Sequence, residues 1–195
     1  MEDIMKKEKG MYGYLNQKKK ENTLKVIINL SAVLGIYLAG KLLETAFSNY
    51  LIIISVLLVI PLAFFLTSLI TLRPWSSISA ERQQEFAAAT DDGKSIVTAY
   101  DLVLTVAQKQ LYAGAVLFSK KEVVLYTEGK NLKLQQRRNE LAEMLRGTGY
   151  FSGVYLTDNW DSFMSRVRAD VKGDGVLESK DELYTQKEKL LIYSV

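Results

Sequence analysis

Between Tyr50 and Leu72 the chain reads YLIIISVLLVIPLAFFLTSLITL, an apolar run without one charged residue. A helix needs about 20 apolar residues to cross the hydrocarbon of a bilayer. A helix that is apolar all round has no solvent face to offer, and a small soluble domain has little interior in which to hide one. The run is therefore read as a membrane span, with Pro61 at a kink that membrane helices tolerate. A second run, LKVIINLSAVLGIYLAGKLL from Leu24 to Leu43, is less pure. Asn29 and Ser31 lie inside it, and Lys41 lies near its end, where a long side chain reaches the interface. The intervening ETAFSN predicts a tight turn, so residues 24–73 read as an antiparallel transmembrane hairpin with spans at about 24–43 and 50–72.

Lysine and arginine set the expected orientation. Lys6, Lys7, Lys9, Lys18, Lys19, Lys20 and Lys25 precede or open the first span, Arg73 and Arg82 follow the second, and the turn carries none beyond Lys41 at its edge. Positive charge stays inside, so both termini are expected in the cytoplasm, with residues 1–23 as a basic tail. No small-residue cleavage site follows the first run, which argues against a removed signal peptide. The lysines also suit anionic headgroups, at about 1 kcal/mol each near the surface, but a topology signal is the simpler reading. Ser31, Gly35 and Ala39 recur at every fourth position on one helix face. Small residues at that spacing let another helix approach closely, either the second span or a second copy of the chain. Asn29 is the polar residue a partner helix would contact if the hairpin were an accessory subunit of a transporter.

Composition excludes whole classes of chemistry. The chain of 195 residues has no cysteine and no histidine. Thiol nucleophiles, disulfides, Cys/His zinc sites and imidazole bases are thereby ruled out. Catalysis would have to run on carboxylates, lysine, tyrosine or serine, with magnesium or manganese on oxygen ligands. A net charge of +3 gives no argument for nucleic acid as a partner. No cofactor is expected.

From Ser76 to Val195 the composition is that of a soluble domain. Ser79–Thr90 reads as a helix. Ser95–Ala107, Leu111–Phe118 and Glu122–Glu128 are rich in β-branched and aromatic residues and read as an antiparallel meander. Leu132–Gly149 is helical, with Leu134, Leu141 and Leu145 on one face and Gly147 as C-cap. Tyr150–Thr157 is a strand, so the unit before it is a right-handed parallel crossover. Asp158 is the expected N-cap of an amphipathic helix in which Trp160, Phe163, Met164 and Val167 share a face. SKDE at Ser179–Glu182 is a capping box for a last helix. Residues 189–195, KLLIYSV, could end that helix or form an edge strand, and the strand is preferred. The fold class is α+β: a transmembrane hairpin, then an αβββαβα domain with a mixed sheet over residues 76–195.

The order αβββαβ, with Glu128-Gly129-Lys130 closing the third strand, resembles the PD-(D/E)xK nuclease superfamily over about Ser79–Thr157. The resemblance implies Glu128 as a metal ligand and Lys130 as the lysine that positions water. The family's aspartate on the preceding strand has no counterpart in LYAGAVLF, and Asp101 lies one strand further back. TEGK is then read as a strand end entering a turn, with the nuclease as the alternative. In organisation the chain also resembles small bacterial membrane proteins in which a two-helix hairpin precedes a cytoplasmic α/β domain.

Three weaker patterns remain. DVKGDGVLESKD, Asp170–Asp181, has the outline of a calcium loop with Asp170, Asp174, Gly175, Leu177 and Asp181 in place, but Lys172 stands where a ligand belongs and Asp181 where a bidentate glutamate does. Arg137 and Arg138 flank the apolar face of their helix and suit a carboxylate or phosphate, or an ordinary ion pair. Asp158 and Asp161 sit at a strand-to-helix junction, where open α/β sheets bind ligands and where helices are capped. The function expected from the whole is non-enzymatic: a bilayer-anchored domain that binds a protein partner or associates with itself.

Overall fold

The computed structural model describes residues 7–42, 47–91, 96–128, 133–147, 153–172 and 180–194. The chain divides into two compact units, one made of Met1–Leu15 and Ser76–Val195, the other of Asn16–Trp75.

The second unit holds the apolar helices. α1 runs from Tyr14 to Leu42, so helix begins ten residues before the first apolar run and includes much of the segment read as a basic tail. α2 (Ser48–Leu57) and α3 (Val59–Leu72) together form one 25-residue rod, interrupted only at Leu58. The break has a local cause. Pro61 has no N–H to return to the carbonyl of Leu57, four residues back, so the ladder loses a rung there. Both rods are long and apolar enough to span a membrane, and side chains such as Ile60 and Phe64 are about 70% exposed. That exposure suits lipid and not water.

The first unit is a three-layer α/β/α arrangement. α4 (Ala80–Thr90) starts at Ser79, whose side chain accepts from the Arg82 N–H. β1 (Val97–Val106), β2 (Lys109–Phe118) and β3 (Glu122–Tyr126) form the meander, α5 (Leu134–Gly147) crosses over, and β4 (Gly153–Thr157) lies parallel to β3 in the order β1-β2-β3-β4. Leu141 and Leu145 of α5 pack on one sheet face, together with Leu183 and Leu190 of α7 (Lys180–Ile192). Phe86 of α4 packs on the other face with Phe163, Met164 and Val167 of α6 (Trp160–Lys172), as the spacing of the α6 residues predicts.

Alternation along β1 shifts phase once. Val97 and Ala99 belong to the α5/α7 core, and so do Leu102, Leu104 and Val106. Odd positions face that core before residue 101 and even positions after it. The shift is made by Asp101, which adopts φ +56° within the strand. Pairing is regular on both sides, with Tyr100 opposite Ala115 and Leu102 opposite Ala113. β2 shifts phase at the same level, around Gly114. A Cβ there would lie 2.4 Å from Ile78 Cγ2, so any larger residue has to push Ile78 aside.

The described part of the N-terminal segment is a strap on the first unit. Tyr100 N–H donates to the Gly10 carbonyl at 2.9 Å, Lys9 Nζ to the Ser194 carbonyl at 2.8 Å, and Tyr12 Oη to the Ile78 carbonyl at 3.1 Å. The other end of the chain guards the same edge. α7 continues to Ile192, which corrects the preferred strand for residues 189–195. Only then does Tyr193 accept from Thr105 N–H at 3.0 Å, with Ser194 bridging Leu104. Strong helix formers in QKEKLL carry the helix on, and just the last residues satisfy the edge of β1.

Candidate functional site

A polar row crosses the α4/α6 side of the sheet: Asp101 on β1, Tyr112 on β2, Tyr126 on β3, and Glu128 just past the end of β3. Sequence analysis singled out its far end. Glu128 Oε1 there receives Arg82 Nη1 of α4 at 2.5 Å, and the same nitrogen donates to Tyr126 Oη at 2.9 Å. The Arg82 guanidinium also lies over the rings of Tyr126 and Trp160, at 5.5 and 5.4 Å from their centroids. Trp160 is fixed in turn by its indole N–H, which donates to Glu85 at 2.7 Å. Glu128 is therefore occupied by a cation of its own chain. A divalent ion would have to displace an arginine held by two aromatic faces. Lys130 lies outside the described residues. Among the described residues no three carboxylates gather as ligands for a metal.

The near end of the row joins distant chain segments. Asp101 Oδ2 accepts from the Gly13 N–H at 2.7 Å and from Ser77 Oγ at 2.6 Å, and the Leu15 N–H also supports the carboxylate. The side chain is 1% exposed. Burial raises its pKa, while Ser77, Gly13, Leu15 and Lys7 pull the other way. The positive φ brings this acid onto the same side as Tyr100, and aspartate tolerates that conformation better than most residues. Tyr112 stands between the two ends. Its hydroxyl donates to the Ser76 carbonyl at 2.5 Å, and burial, followed by the negative charges of Asp101 and Glu128, pushes its pKa well up. A phenol so placed holds its proton and positions backbone. It is no base at neutral pH. Burial, with the Glu128 charge next, raises Tyr126 likewise.

Within the hairpin unit, a polar contact that sequence analysis missed does the joining. Buried Asn22 donates Nδ2 to Ser68 Oγ at 2.9 Å, and Lys19 Nζ reaches the carbonyls of Arg73 and Trp75 just past the end of α3. Asn29 Nδ2 instead donates to the Lys25 carbonyl one turn back in its own helix, at 2.9 Å. Close helix approach occurs at Gly40, where a Cβ would meet Ile52 and Leu51 at 3.1 Å and where Ser48 Oγ donates to the Gly40 carbonyl at 2.7 Å. At Gly35 a Cβ would meet nothing within 4 Å, and Ser31 and Gly35 are exposed, with Ala39 half-buried. The second span does not use that face at Gly35.

The weaker patterns resolve into structural roles. Asp170 and Lys172 lie in α6, and Asp170 is buried, accepting from Ser119 Oγ at 2.9 Å, which removes it as the first ligand of a calcium loop. Asp181 opens α7, while Asp174, Gly175 and Leu177 lie outside the described residues. Arg137 pairs with Glu140 at 3.0 Å, and Arg138 Nε donates to the Val154 carbonyl of β4 at 2.9 Å. The N-cap of α6 is Asn159 and not Asp158: Asn159 Oδ1 accepts from the Ser162 N–H at 2.9 Å. Asp161 lies in the first turn of α6, where an acid complements the helix dipole.

No family model, no curated protein and no solved structure matches the chain.

Proposed function

We propose that the chain is a membrane-anchored, non-enzymatic protein whose hairpin presents the α+β unit at the cytoplasmic face, where it binds a protein partner or a second copy. The observation that carries this reading is the discontinuity of the soluble unit. Met1–Leu15 and Ser76–Val195 form one body, and the segment between them, Asn16–Trp75, carries both membrane-length rods. Two crossings return a chain to the side it left, so a body assembled from both ends supports termini on one side. The lysine-rich flanks support the cytoplasm as that side. Anchoring raises the effective concentration of the unit toward other membrane-bound proteins. Internal commitment of Glu128 to Arg82 supports a binding role over catalysis. The open face at Ser31, Gly35 and Ala39 supports contact between hairpins of two copies.

The test is cross-linking in membranes followed by purification in mild detergent. A dimer weakened by Gly35→Leu, or a stoichiometric partner, is expected; monomer alone, with nothing cross-linked, would sink the proposal. Because the chain has no cysteine, single cysteines at Lys20 and Ser48 report sidedness cleanly. Only the second should react with an impermeant thiol reagent added outside intact cells.

One observation favours a second reading. The αβββαβ order, with Glu128 beyond β3, supports a degenerate, membrane-tethered relative of metal-dependent nucleases. Manganese at a hundredfold excess over its dissociation constant would then raise stability by roughly 2.7 kcal/mol, and Glu128→Gln would abolish the gain. No shift in either protein retires this reading.

A further inference from the structure

We infer that Asp101 couples the hairpin to the soluble unit, by holding the chain that enters the hairpin and the chain that leaves it on one carboxylate oxygen. Gly13 N–H and Ser77 Oγ converge on Oδ2 at 2.7 and 2.6 Å. Gly13 directly precedes α1, and Ser77 comes five residues after the last residue of α3. α1 runs unbroken from Tyr14 to Leu42, so Gly13 is the residue at which the chain passes from the strap into that helix. If the two ends separate, one of the two bonds to Oδ2 must break.

Breaking either bond is not a graded event. The carboxylate is buried, so no water stands ready to replace a lost donor, and an orphaned buried group carries its full desolvation cost. The arrangement therefore has two states, both ends held or one released. Release of Gly13 also loosens the strap, whose Gly10 carbonyl occupies the Tyr100 N–H on the edge of β1. Ends held together keep that edge covered, and ends apart uncover it. By linkage the effect runs both ways: whatever stabilises the docked strap draws the helix ends together, and the reverse. Inside the hairpin unit, Asn22–Ser68 and Lys19 with the carbonyls of Arg73 and Trp75 tie the same ends. The helix pairing and the carboxylate thus restrain one displacement. This coupling does not depend on which partner the domain binds, so its failure and that of the proposed function are told apart.

The experiment uses the full chain in detergent micelles and follows amide hydrogen exchange residue by residue. The hairpin is loosened with Asn22→Leu combined with Ser68→Ala, both within the hairpin unit and outside the strap and sheet whose amides are read. Exchange at Gly13 and Tyr100 is expected to rise at least about fivefold, the lower end of typical coupling between sites, while Val124 and Leu156 keep their protection. Repeated in an Asp101→Ala background, the same pair should add less than about twofold, because the connection has already been cut. Ser77→Ala removes one arm only and gives the same comparison should Asp101→Ala fail to fold. Unchanged exchange at Gly13 and Tyr100 overturns the inference. So does a uniform rise across the sheet, or an equal rise in both backgrounds.

Discussion

Replacing Asp101 separates three contributions that the wild-type residue combines: an acceptor for part-buried donors, tolerance of φ +56°, and a buried charge. Asp101→Asn keeps an acceptor oxygen and a side chain that tolerates positive φ, so its stability should stay within about 1 kcal/mol of wild type at neutral pH. Asp101→Gly relieves the backbone but leaves the Gly13 N–H and the Ser77 hydroxyl without their acceptor. Both donors are part-buried, which puts each at the lower end of the roughly 1–3 kcal/mol for an orphaned group; less the relief from no longer burying a charge, a loss of about 1–2 kcal/mol follows. Asp101→Ala adds roughly 1 kcal/mol for the strained φ. Thermal unfolding of the full chain in detergent, monitored by near-UV circular dichroism, should rank them wild type and Asn, then Gly, then Ala. The spacing is about 3–5 °C per kcal/mol for a unit of this size. Acid sharpens the comparison. Burial raises the folded-state pKa above the ordinary 3.8, so the folded protein binds this proton more tightly than the unfolded chain does. Stability from this group therefore rises as pH falls through the raised folded value toward 3.8, and it is lost again as pH climbs. Asn lacks that increment, so wild type should gain on Asp101→Asn between neutral and mildly acid pH. An Ala variant as stable as Asn, or a wild-type–Asn gap that ignores pH, refutes the role given to this carboxylate.

Three other outcomes follow from packing and backbone geometry. Gly114→Ala places a methyl group 2.4 Å from Ile78 Cγ2 and should cost about 1–3 kcal/mol in denaturant unfolding; an Ile78→Ala background should recover part of it. The β1–β2 hairpin turns on Ala107 and Gln108, with φ +47° and +62°, so Ala107→Asn with Gln108→Gly should stabilise by about 1 kcal/mol, and a loss would contradict the turn geometry. In the hairpin, Asn22→Leu should weaken helix–helix association by about 0.6 kcal/mol, whereas Asn29→Leu should leave it unchanged, both read by resonance energy transfer between labelled spans. Equal effects would show that the Asn22–Ser68 bond joins nothing.

Local pattern carried much of this architecture. The two apolar rods follow from continuous apolar runs, the strands of the meander from β-branched and aromatic runs between polar turns, and the buried faces of α5 and α6 from periodicity, because burial on one helix face leaves its mark every three to four residues. What escaped was long-range or stereochemically unusual. The strap has no periodicity, and its acceptor at Asp101 lies 88 residues away. The aspartate interrupting VTAYDLVLTV was a clue, since an acid within an apolar strand must face a donor, yet nothing local names Gly13 or Ser77. The 107–108 turn lacks the Asn-Gly signature of its backbone type. Glu128 was legible as an acid at a strand end, but its partner Arg82 is 46 residues earlier on α4, and that pairing turns a plausible metal ligand into one half of an ion pair. Among small and polar hairpin residues, spacing favoured Ser31, Gly35 and Ala39, while contact is made by Gly40, Asn22 and Ser68. Helical spacing identifies a face but not what lies opposite it.

A unit assembled from segments on either side of two long apolar helices has a consequence for biosynthesis. The strap is made before Asp101 and the β1 edge, and both apolar rods are made in that interval. If only one rod inserts across the bilayer, Ser76 and everything after it are stranded opposite the strap. Gly10 and Gly13 then lack their partners on β1, which keeps an open edge able to pair with another chain. Under the proposed anchoring, the fold can therefore be completed only when the strap and β1 lie on the same side of the bilayer.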